Sequence, residues 1–93
     1  MTVWINGTLV PDDEARISVF DHGLVTGDGV FETVKVVNGV PFALSRHLAR
    51  LGRSAAGLGL AAPDLDQIRV GAMAVVEAAM CNVCRRAATV RQA

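Results

Sequence analysis

The chain has 93 residues, and its nine basic side chains balance nine acidic ones, for a formal net charge of zero. That length supports one small domain with one modest core, and the charge balance provides no global field to draw it to nucleic acid or to a membrane surface. Hydrophobic residues make up 52%, too many for a chain disordered by composition. No stretch approaches the roughly 20 apolar residues of a bilayer span. Met1-Thr2-Val3-Trp4 has neither the basic region nor the apolar run of a signal peptide, so the cytoplasm is the expected location.

Val3 to Val10 reads as a hairpin, because Asn6-Gly7 between β-formers supplies a turn with positive φ at both positions. Pro11-Asp12-Asp13-Glu14 breaks the strand and faces solvent. Ile17-Ser18-Val19-Phe20 is a short extended run. Asp21 to Gly29 is a loop punctuated by Gly23, Gly27 and Gly29. A second hairpin follows: Val30 to Val37, a turn at Asn38-Gly39, and a return over Val40 to Leu44. Alternation puts Phe31, Thr33 and Lys35 on one face and Val30, Glu32, Val34 and Val36 on the other. Pro41 places the return strand at an edge or pairs it only briefly.

Ser45 is the expected N-cap of a helix through about residue 56. Its apolar stripe is Leu44, Leu48, Leu51 and Ala55. Arg46, Arg50 and Arg53 form a basic stripe at i, i+4 and i+7, and Gly57 and Gly59 end the helix. Ala62-Pro63 links to a second helix. Asp64 with Gln67 resembles a capping box there, and the helix runs on through Ile68, Met73, Val76 and Ala79. Strands first and helices after make an α+β domain: a small antiparallel sheet of two hairpins followed by two helices.

Several chemistries lack their residues. There is no H-E-x-x-H and no P-loop. Gly27-Asp28-Gly29 lacks the third glycine and the helix of a dinucleotide fingerprint. Cys81 and Cys84 form one C-x-x-C, and with His22 and His47 far upstream the four or so ligands of a zinc site are missing; they read as incidental thiols, and no metal site is expected. Two readings stand for the arginine stripe. A basic helix face is commonly solvated, but an arginine fork also matches phosphate or carboxylate. Lys35, the only lysine, lies near a hairpin turn, where nothing suggests the burial that would activate it for a Schiff base.

Asp21-His22-Gly23-Leu24, then Gly27-Asp28-Gly29-Val30-Phe31-Glu32-Thr33, is similar to the N-terminal signature of class IV aminotransferases and aminodeoxychorismate lyases, the fold-type IV pyridoxal-phosphate enzymes. The likeness continues through Asn38-Gly39, Pro41-Phe42-Ala43-Leu44 and Arg46-His47-Leu48-x-Arg50-Leu51-x-x-Ser54-Ala55, and covers about residues 3 to 78. The resemblance implies a two-domain enzyme with pyridoxal 5'-phosphate between the domains, its phosphate held partly by Arg50. It implies that Phe31, Thr33 and Lys35 line the substrate side of the pocket, and that Glu32, on the opposite face, has no assigned chemistry. It implies a small-molecule substrate, and a homodimer for full-length relatives. The Schiff-base lysine of the family comes from the second domain, so this sequence carries no catalytic residue of its own. Thr26 departs from the aromatic residue that many relatives have before Gly-Asp-Gly.

Gly-Asp-Gly-Val-Phe-Glu-Thr, and Thr33 in particular, leans toward aminodeoxychorismate lyase, which eliminates pyruvate to give 4-aminobenzoate for folate. D-amino-acid or branched-chain aminotransferase is the alternative, and a non-catalytic truncated module a further one. Domain 1–80 is the expected family domain. Residues 81–93 form an atypical tail in which no strand is expected, as a frameshift or a truncated gene model would produce.

Overall fold

In a computed structural model, residues 1–81 and 88–91 are described. Strands β1 (Thr2–Ile5) and β2 (Thr8–Pro11) form the first hairpin. Its turn is the expected one: Asn6 and Gly7 have φ of 49° and 93°, and that pair of positive values matches the right-handed strand twist. The expected extended run 17–20 is interrupted: residues 19 and 20 form a turn, with Asp21 N donating to Ser18 O at 3.1 Å, and within the glycine-rich loop the chain winds into a short helix, α1 (His22–Thr26).

Strand β3 (Phe31–Val34) continues after a one-residue break at Lys35 into β4 (Val36–Val37), which pairs with β5 (Val40–Pro41) across Asn38-Gly39. The return strand is short, as Pro41 leads one to expect, and the hairpin is lengthened by one hydrogen bond from Phe42 N to Lys35 O at 2.7 Å. Helix α2 spans Leu44–Gly57 and α3 spans Leu65–Cys81. Strand β6 (Ala88–Arg91) then pairs antiparallel with β3, setting Phe31 opposite Arg91 and Val34 opposite Ala88. The expectation that no strand follows the second helix is therefore corrected. Ala88-Thr89-Val90-Arg91 is too short and too mixed to announce itself by pattern, and it forms because β3 offers a backbone edge that must be paired.

The core lies between the inner face of the β3–β4 strand and the two long helices. All four residues of the expected α2 stripe, Leu44, Leu48, Leu51 and Ala55, are buried, with Val34, Val36, Ile68, Ala72 and Val76. Two details of the helices differ from expectation. Ser45 lies inside α2 and does not cap it; the N-cap is Ala43 in a left-handed conformation, and the Ser45 hydroxyl instead accepts a 3.0 Å hydrogen bond from Arg69 Nη2 of α3. On α3 the buried apolar side chains are Ile68, Ala72 and Val76, a four-residue repeat on one side, and Gly71 beside them is buried too. Met73 falls off that side and is 43% exposed. Asp64 does cap α3, accepting from Gln67 N at 3.1 Å.

The first hairpin lies on α3 by close approach of Trp4 to Gly71. A Cβ at residue 71 would lie 2.6 Å from Trp4 Cε2, so only glycine fits. Gly71→Ala should destabilise the domain by about 1–3 kcal/mol through overpacking, seen as a lower denaturation midpoint with an unchanged slope.

Candidate functional site

The alternation of β3 turns Glu32 inward with Val34 and Val36, and Glu32 is the only charged residue buried among those described. A buried carboxylate requires partners, and α2 supplies two from one side of the helix, three residues apart. Arg50 grips Glu32 with a fork: Nε donates to Oε2 at 2.8 Å and Nη2 to Oε1 at 2.6 Å. His47 Nδ1 lies 2.7 Å from the same Oε1. Because the carboxylate can only accept, His47 must carry its proton on Nδ1. The 3.5 Å approach of Arg50 Nη2 to His47 Nδ1 is then donor facing donor and contributes no bond. The hydrogen bonds from Arg50, and after them that from His47, outweigh burial and hold the Glu32 carboxyl at about 2, below its ordinary 4.5. The same pairing with Glu32 raises Arg50 further above its ordinary value.

The three side chains form a gradient outward. Side-chain exposure runs from 10% at Glu32 to 20% at His47 and 60% at Arg50. Arg50 opens onto a shallow groove of about 400 Å³ lined by Phe42, Ala43, Arg46, His47, Ala49, Arg50 and Arg53. All three arginines of the sequence stripe thus border one groove. A guanidinium has five N–H donors, of which Glu32 takes one from Nε and one from Nη2. The Nη1 end and the second Nη2 hydrogen lie outside that pair. This donor set is the fork that phosphate or carboxylate takes side by side.

Phe31, Thr33 and Lys35 share a face, as alternation requires, but it is the exposed face of β3, away from Glu32, and none of the three borders the groove. Sequence reasoning singled out Arg50 as a candidate and assigned no chemistry to Glu32. The signal available was the combination of an inward-facing acid on a strand with His47 and Arg50 three residues apart on the following helix.

A second carboxylate–histidine pair closes the Gly-Asp-Gly loop. His22 Nε2 lies 2.8 Å from Asp28 Oδ2, with both side chains more than half exposed. Asp21 caps α1 by accepting from Leu24 N at 3.1 Å, and the Thr26 hydroxyl donates to His22 O at 2.7 Å. The departure at Thr26 therefore gives the loop a hydrogen bond where an aromatic ring would give bulk. No cluster of three or more potential metal ligands occurs among the described residues, and Cys84 lies outside them. None of the described helices is long and apolar enough to cross a membrane.

A family model for amino-transferase class IV matches residues 29–92, more than half of the sequence. The chain belongs to the class IV aminotransferase family. It is 46% identical over 63 residues to a putative branched-chain-amino-acid aminotransferase of Methanocaldococcus jannaschii, covering 68% of this chain and 22% of that protein. It is 42% identical over 60 residues to a D-alanine aminotransferase of Bacillus licheniformis, covering 64% of this chain and 21% of the relative. In three dimensions it superposes on a hypothetical aminotransferase from Mycobacterium tuberculosis with a TM-score of 0.77 at 31% identity, covering 98% of this chain and 32% of that one. The α+β architecture is thus that of the family, and the chain spans about a quarter of the length of the curated relatives it matches.

Proposed function

We propose that this chain is the N-terminal part of a pyridoxal-phosphate-dependent aminotransferase of branched-chain or D-amino acids, and that Arg50 holds the phosphate of the cofactor. The observation that carries the reading is the fork between Arg50 and buried Glu32, which occupies one edge of the guanidinium and leaves the other for an anion at the groove. The residues present fit a phosphate: a planar cation held on a rigid helix supplies directed donors, and Arg46 and Arg53 on the same groove add positive charge. Pyridoxal phosphate, when bound, supplies the electron sink for reactions at the α-carbon of an amino acid.

This chain's own part is to bind and orient. Arg50 directs hydrogen bonds to a phosphate oxygen, and Glu32 offsets the Arg50 charge. Phe31, Thr33 and Lys35 stand in a row on the outer face of β3, off the arginine groove, and their part as a substrate wall is proposed from the family resemblance alone. Relatives named for branched-chain and D-alanine transamination favour aminotransferase chemistry over the lyase toward which Gly-Asp-Gly-Val-Phe-Glu-Thr, and Thr33 in particular, leaned. Full-length relatives pairing as homodimers remain part of the proposal.

The test is an assay of the gene product that bears this chain, supplied with D-alanine or L-leucine and 2-oxoglutarate. Formation of pyruvate or 4-methyl-2-oxopentanoate together with glutamate is the expected result. Release of 4-aminobenzoate from aminodeoxychorismate without transamination would return the assignment to the lyase.

A further inference from the structure

We propose that Glu32 is a positioning residue for anion recognition: its buried carboxylate fixes the Nε/Nη2 edge of Arg50, so that the guanidinium meets a phosphate with its opposite edge already oriented. The inference rests on the reading of Arg50 as the phosphate-binding residue and adds a residue to that site.

The argument starts from what an arginine lacks alone. Its long side chain has many rotamers, and ordering it at the moment of binding subtracts from affinity. Here that ordering is done in advance. Glu32 is fixed by its strand, with Val34 and Val36 buried on the same face. It accepts from Nε and Nη2 at 2.8 and 2.6 Å. His47 takes a share of Oε1 at 2.7 Å, which stops the carboxylate from turning about its own bond. Both donors come from one turn of α2, so strand and helix fix the guanidinium plane together. The arrangement also has an electrostatic consequence. A carboxylate beside a phosphate site repels the phosphate. If Glu32 served charge balance alone, removing it would tighten anion binding. If it serves as a brace, removing it loosens anion binding in spite of the lost repulsion. The sign of the change separates the two roles.

The experiment titrates the chain with inorganic phosphate and with pyridoxal phosphate, followed by 31P NMR, for the wild type, Glu32→Gln, Glu32→Ala and Arg50→Gln. Both Glu32 variants are expected to bind each ligand about fivefold more weakly, the scale of one lost pre-ordered side chain. Equal or tighter binding in the Glu32 variants, with Arg50→Gln weakened, would overturn the positioning role and leave Arg50 as the phosphate residue. Unchanged binding in Arg50→Gln would remove the underlying reading instead. The wild type decides the matter if the variants fail to fold. In a 15N-arginine-labelled sample, the Nε–H of Arg50 should exchange with solvent more slowly than those of Arg46 and Arg53, and added phosphate should shift its Nη resonances. Exchange as fast as at Arg46 and Arg53 would mean that no brace exists.

Discussion

Two carboxylate–histidine pairs sit in this small domain, and they differ in almost everything except chemistry. Glu32 and His47 meet across 15 residues of chain, from a strand and a helix, with Arg50 joining them. His22 and Asp28 meet across six, within one loop, and both are more than half exposed. Nearly equal distances, 2.7 and 2.8 Å, conceal the contrast. Water competes freely for the outer pair and hardly at all for the inner one. The outer pair closes a loop, while the inner one joins two elements of the core and governs how an arginine faces the groove.

The contrast can be broken by mutation. Glu32→Ala should cost about 2 kcal/mol, the scale of a hydrogen-bonded charged group, reduced because Arg50 can turn to solvent; urea denaturation measures it. A loss no larger than that of an exposed pair would erase the distinction. A pH titration of stability sharpens it. The folded-state value of Glu32 is about 2 against an ordinary 4.5, so its contribution is complete above about 4.5 and is lost as pH falls toward about 2. Glu32→Gln should flatten that segment of the stability curve. Asp28→Asn should change stability by no more than about 0.5 kcal/mol, as exposed pairs do. A larger loss would show that the Gly-Asp-Gly loop supports the whole fold.

Legibility in the sequence follows the range of the interactions. Asn6-Gly7 and Asn38-Gly39 announce their turns because the residues needing positive φ are the turn itself. The α2 stripe from Leu44 to Ala55 was readable because helical periodicity is local, and so was the split of β3 into two faces. What periodicity gives is a face, not a partner. It turned Glu32 away from Phe31, Thr33 and Lys35, but nothing local says that His47 and Arg50 wait on that side. The family resemblance singled out Arg50, while the acid that fixes it came only from the fold. Ser45 misled because a cap-forming residue can equally bond to Arg69 on a neighbouring helix. Strand β6 was missed for a related reason: its pairing depends on the open edge of β3, more than 50 residues earlier by register of Val34 with Ala88.

The central claim is that Arg50, held from within by Glu32, offers its outer edge to a phosphate. Titration of the wild type and Arg50→Gln with pyridoxal phosphate tests it most directly. The account predicts at least about a tenfold loss of affinity in the variant, the worth of a charge-assisted fork, with the secondary structure unchanged by circular dichroism. Equal affinity in the two proteins would contradict it.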